Sequence, residues 1–172
     1  MAISITDYLI DQEGIEWSKV WASWSWLLPS EFTLWLVNRF ADLFLVLPDG
    51  TVHMLDVGAG TLMKVAESRD DFADQIDIDE NANEWLMIPL VDRLVAAGMT
   101  LRPGHCYGFK VPPVLGGDYN VANVGPLSVS DYQGAYGSIH EQLQDVPDGS
   151  QVVLKTVEKP DKPAAPVNKP GT

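Results

Sequence analysis

The stretch DLFLVLPDGTVHMLDVGAGTLMKV, residues 42–65, decides the fold. Leu43 to Leu47 is a short apolar run, Pro48, Asp49 and Gly50 form a turn signal, and Thr51 to Val57 alternates Val52 and Met54 against Thr51, His53 and Leu55. Gly58, Ala59 and Gly60 turn the chain again into Thr61–Val65. Three runs of strand length separated by two tight turns predict a three-stranded antiparallel meander.

Upstream, Trp17, Val20, Trp21, Trp24 and Leu28 recur at spacings of three and four, which predicts a helix closed by Pro29 with its tryptophans turned to the core. Ser30 and Glu31 are read as the start of a second helix, with Phe32, Trp35 and Leu36 on one face and a turn at Asn38 and Arg39. Downstream, Ser68 and Asp71 match a capping-box variant at N-cap and N3, leading a helix whose inner face is Phe72 and Ile76. A further helical stretch carries Trp85, Leu86, Leu90, Leu94 and Val95, restarted at Pro89 and ended by Gly98. Strands are expected over Cys106–Val111 and Tyr119–Val124, either side of a turn-rich 112–118. A helix follows with Val129, Tyr132, Tyr136, Ile139 and Leu143 inward, weakened by Gly134 and Gly137, and then a last strand over Gln151–Val157.

Strands grouped, then helices, then strands again give an α+β fold rather than a regular βαβ repeat. One domain is expected over residues 1–157, divided into a helical region (1–41), the meander (42–66), an acidic helical region (67–98) and a strand-helix-strand region (105–157). Residues 158–172, rich in Pro and Lys and poor in apolar side chains, are expected to form a disordered tail.

With 46% apolar residues and six Trp, the chain of 172 residues has material for one sizeable core. Against 11 Lys and Arg stand 24 Asp and Glu, a net charge of −13, which argues against a nucleic-acid binder and against an anionic membrane surface. The lone Cys106 excludes an internal disulfide and a multi-Cys zinc site. Met1 to Asp11 carries no Lys or Arg and no secretory h-region, so a soluble cytoplasmic protein is expected.

The histidines at 53, 105 and 140 are scattered over three predicted elements and show no metal spacing. Cys106 lacks the Gly-rich elbow or following helix that would activate a thiol, and Gly-x-Ser-x-Gly is absent. Gly116 and Gly117 read as a tight turn, because Asp118 follows and no helix opens there. Asp77, Asp79 and Asn81 resemble the opening of a calcium loop, but Asn83 stands where its Gly belongs and Ile88 where its closing Glu belongs. Neither a cofactor nor a catalytic residue is expected.

What remains is charge. Residues 67–84 hold eight acids offset only by Arg69, a net −7. A solvated helix face accounts for Asp70 and Asp71, which the helix dipole favours. Asp74, Asp77, Asp79 and Glu80 fall past the capping positions of the predicted helix and repel one another, which a surface made to meet a basic partner would explain. Both readings stand at this point. A second candidate contact is the turn at Leu115 to Tyr119, where Asp118 and Tyr119 combine an acid with an aromatic anchor.

Several stretches also resemble a known family. Trp26 to Pro29, Asn38 to Phe40, Met54 to Asp56 with Gly58 to Gly60, and above all Tyr107, Gly108, Phe109 with Leu115 to Tyr119 and Asn123 are similar to the bacterial type VI secretion immunity proteins of the Tdi type, over about Trp24 to Leu143. The resemblance implies a cytosolic protein without catalysis that binds and neutralises a cognate secreted toxin, a DNase in some relatives. The acidic run suits a basic toxin. The alternative is a small-ligand or thiol-dependent module using the region of His105, Cys106 and Tyr107.

Overall fold

The computed structural model describes residues 4–147, which form a single α+β domain. The expected strand at Gln151–Val157 and the tail lie outside the described residues.

The meander is present and has a fourth member. Strands β1 (Thr33–Val37), β2 (Leu43–Val46), β3 (Val52–Asp56) and β4 (Thr61–Ala66) pair antiparallel in that order. β2 alternates between two cores, Leu43 and Leu45 entering one and Phe44 the other, and β3 does the same with Leu55 against Val52 and Met54. A strand covered on both faces reads as an unbroken apolar run, as Leu43–Val46 does.

The helix expected from Ser30 is a correction, because Phe32, Trp35 and Leu36 belong to β1 and its entry. A bulge between Leu34 and Leu36 breaks the pairing with β2, so Trp35 and Leu36 both reach the Phe44 core while Phe32 and Leu34 pack on the other. The spacing of three and four from Phe32 to Trp35 and Leu36 therefore does not mark one face, because Phe32 packs on the other core from the two residues that the bulge brings together. The tryptophan segment upstream has helical period but no long helix. It makes one turn of α1 (Trp17–Val20) and a 3-10 turn, Trp21–Trp24. Trp24 is fully buried, its Nε1 donating to Gln133 O at 3.1 Å.

Helices α2 (Arg69–Ile76), α3 (Asp79–Trp85) and α4 (Ile88–Ala96) follow the sheet, with Pro89 in the first turn of α4 and Met87 in the left-handed region just before it. Gly98, at φ +82°, closes α4 through Met99 N to Leu94 O and Gly98 N to Val95 O, the paired bonds that satisfy two of its last carbonyls. β5 (His105–Phe109) pairs antiparallel with β6 (Val124–Ser128), which leads into α5 (Val129–Leu143). The strand expected at Tyr119–Val124 is therefore displaced. Asn120 Oδ1 accepts the Asn123 amide and holds Val121–Asn123 in a 3-10 turn, and pairing starts only at Val124. Gly137 does not merely weaken α5, since a Cβ there would collide with Ser23 and hold the helix away from the tryptophan segment.

Candidate functional site

The acidic run folds into α2 and α3. Ser68 Oγ accepts the Asp71 amide at 2.9 Å and Asp71 Oδ2 accepts the Glu67 amide at 2.8 Å. The Glu67 amide, and after it the Gln75 side chain, hold the Asp71 carboxyl below its usual range. Asp71 is thus engaged in starting the helix. Asp70, Asp74, Asp77, Asp79 and Glu80 are exposed, and among the described residues none of them is in an ion pair. Lys64 is taken by Glu67 at 2.6 Å, and the Arg69 guanidinium lies 5.4 Å over the Trp35 ring.

The expectation that four of these acids lie past capping positions holds for Asp74 and Asp77 only. Asp79 and Glu80 occupy the first turn of α3, which has no side-chain cap, so they also complement its dipole. Asp77 ends α2, where the dipole disfavours a carboxylate. Asn81 Nδ2 donates to Gln75 O at 3.0 Å and joins the two helices into one unit. Behind them Phe72 stacks on Trp85 with centroids 5.6 Å apart and meets Phe44 and Trp35 edge-on. The carboxylates therefore stand on a packed aromatic base.

The second candidate lies over the other core. Tyr119 is 51% exposed and sets its ring edge-on to Phe109 at 5.0 Å, while the Asp118 side chain is exposed. Burial, and then Asp56 and Asp42, raise the Tyr119 phenol. Asn123 clamps the loop that carries them. Its Oδ1 accepts the Val111 amide at 2.9 Å, and its Nδ2 donates to Val111 O at 2.9 Å and Asp118 O at 3.0 Å. Gly117 packs so tightly on Val111 O that no side chain fits. The Asp118 and Tyr119 pair is thus held apart from the acidic helices, above a different core cluster.

Among the described residues no three His, Cys, Asp or Glu side chains converge on a metal position. Cys106 is fully buried, and that burial, with Asp42 second, pushes its thiol well above the usual range. His105 is half-buried and Tyr107 buried, its hydroxyl donating to Met99 O at 2.6 Å.

A buried polar knot, absent from the sequence reading, holds the acidic platform. Asn38 Oδ1 accepts the amides of Phe40 and Asp42, and its Nδ2 donates to Asp42 Oδ2 and to Trp85 O, both at 2.8 Å. Asp42 Oδ1 accepts the Val57 amide at 2.8 Å. Burial and then Asp56 raise the Asp42 carboxyl well above its ordinary value, against the pull of Asn38 and Val57. An Asn four residues before an Asp at a turn is a legible signal for side-chain to backbone bonds. Its reach to Trp85, at the end of α3, is not.

No curated protein matches the chain. Residues 66–140 match the family described as T6SS immunity protein Tdi1, C-terminal. The match runs from the last residue of β4 through most of α5 and includes both candidate surfaces, while the tryptophan segment and most of the meander lie upstream of it.

Proposed function

From a domain whose residues 66–140 carry the signature of a type VI secretion immunity family, we propose a protein that binds and neutralises a cognate secreted toxin in the cytosol. It does so without chemistry of its own. Its contact surface is the acidic face of Asp70, Asp74, Asp77, Asp79 and Glu80, with Asp71 holding the helix start, and the toxin surface it meets is basic. A nuclease, which must carry positive charge to hold its own substrate, is the fitting partner class. The observation that carries this reading is the set of exposed carboxylates that, among the described residues, have no cationic partner, on two helices fixed to a rigid base. Asp118 and Tyr119 supply a second contact, where the Asn123 clamp fixes an exposed aromatic before binding and lowers the ordering cost.

The test is to look for a toxin reading frame beside this chain's gene and to co-express the two. Growth should be restored, and the two proteins should co-elute at a fixed ratio. Cys106→Ala and His105→Ala should protect as well as the parent, since neither group is asked to act on the toxin. Failure to co-elute, or loss of protection in a folded Cys106→Ala variant with unchanged toxin affinity, would contradict the proposal.

A further inference from the structure

One concavity of this acidic domain is lined by positive charge. Arg39, Arg102 and His105 border a cleft of about 250 Å3, together with Leu9, Leu101 and Asp11. Among the described residues neither guanidinium has a carboxylate partner, whereas Lys19 and Lys64 are paired with Glu16 and Glu67. Arg39 is fixed by its backbone, its amide donating to Tyr8 O at 3.1 Å and its carbonyl accepting from Tyr107 N at 2.7 Å. Its Nε is shut off from solvent with no acceptor within reach among the described residues.

His105 orients the second arginine without neutralising it. Its Nδ1 lies 3.0 Å from Pro103 O and its Nε2 3.4 Å from Arg102 Nη2, so that with the proton on Nδ1 the Nε2 accepts from the guanidinium. Among the described residues Asp11 is the one acid lining the cleft, and it accepts the Glu13 amide at 2.9 Å through Oδ1. Two guanidiniums on one cleft offer planar forks of N–H donors that fit the oxygens of a phosphate or a carboxylate. Leu9 and Leu101 offer an apolar wall beside them. The volume is near the lower end of small-molecule sites, which begin at about 300 Å3.

We propose that this cleft binds a small ligand by its oxyanion, a phosphate or a carboxylate, held between Arg39 and Arg102. The site is independent of toxin binding. The remaining acids of the domain repel a free anion at long range, so binding should be most evident at moderate salt, where charges beyond about 8–10 Å are screened.

The test uses the full chain labelled with 15N, titrated with inorganic phosphate and separately with succinate, with ionic strength held constant by sodium chloride. At least one of the two should shift the Gly104 and His105 amides saturably, and the one that does identifies phosphate or carboxylate as the ligand group. Arg102→Gln, at an exposed side chain, and Arg39→Gln should each weaken that response about tenfold or more, the loss of a charge-assisted bidentate contact. Arg93→Gln, outside the cleft, should leave it unchanged. No saturable response to either anion, or an undiminished one in folded Arg102→Gln, would overturn the proposal. Equal weakening by Arg93→Gln would overturn it too, as a response to net charge. Because no toxin is present, this result stands apart from the immunity reading.

Discussion

Asp42 and Asp74 carry the same functional group in opposite circumstances. Asp42 is 4% exposed, accepts from Val57 N and Asn38 Nδ2, and is pushed by burial well above its ordinary value. Asp74 is exposed on α2 and, among the described residues, pairs with no cation. A buried carboxylate is tolerated only while its bonds are complete, so Asp42 is committed to the fold. Exposed carboxylates are solvated and contribute little to stability, which leaves them available to a partner. Asp71 stands between the two, exposed in part like its neighbours yet committed to the Glu67 amide.

The sharpest break of that contrast is Asp42→Ala. It leaves the Val57 amide and one of the two Asn38 Nδ2 hydrogens without an acceptor, while the bond from Nδ2 to Trp85 O remains, and should lower unfolding stability by about 2–4 kcal/mol in a urea titration. Asp74→Asn should change it by less than about 0.5 kcal/mol. Similar losses from the two would erase the distinction.

Tyr119→Ala comes next. Loss of a partly exposed aromatic fixed by its loop should weaken toxin affinity by about 2 kcal/mol, roughly thirtyfold, in a calorimetric titration. Retained affinity would confine the contact to α2 and α3.

The smallest effect concerns His140, whose Nε2 contacts Val57 O at 2.9 Å beside Asp56, Trp24 and Tyr136. Burial lowers its imidazole below the ordinary value. The unfolded histidine, titrating near about 6.5, then takes up protons before the folded one does. Its contribution is complete above that pH and is lost as pH falls through the lowered folded value. His140→Asn should flatten this part of the decline in melting temperature between pH 7.5 and 5.5. An unchanged slope would show that the imidazole takes up its proton alike in the folded and unfolded chain, so that burial does not lower it.

Much of this was legible in the sequence wherever the signal is local. The alternation over 42–65, the Ser68 cap and the Gly98 stop each rest on contacts a few residues apart, and each is present. β1 reads as a helix because Phe32, Trp35 and Leu36 stand at spacings of three and four, and only the fold shows that Phe32 packs on a different core from the adjacent pair that the bulge turns the same way. The start of β6 was misplaced because Asn120 and Asn123 spend Val121–Asn123 on a turn. The acidic run was visible as composition. That Asp70, Asp74, Asp77, Asp79 and Glu80 have no cationic partner among the described residues is a statement about Lys64 and Arg69, which turn to Glu67 and Trp35 instead. The polar knot was invisible because Asn38 finds Trp85 across 47 residues. For the same reason nothing in the chain order brings Arg39 beside Arg102.

In the proposed function the exposed acids meet a basic toxin. Asp74 and Asp77 probe it most cleanly, since neither supports a helix start. The direct measurement is the association rate of the double variant Asp74→Asn/Asp77→Asn with the toxin, followed by stopped flow from low to high ionic strength. The account predicts a rate several-fold lower than the parent's at low salt, a shallower dependence on ionic strength, and unchanged stability. A parental rate with a parental salt slope would contradict it and leave the acidic face as solvated surface.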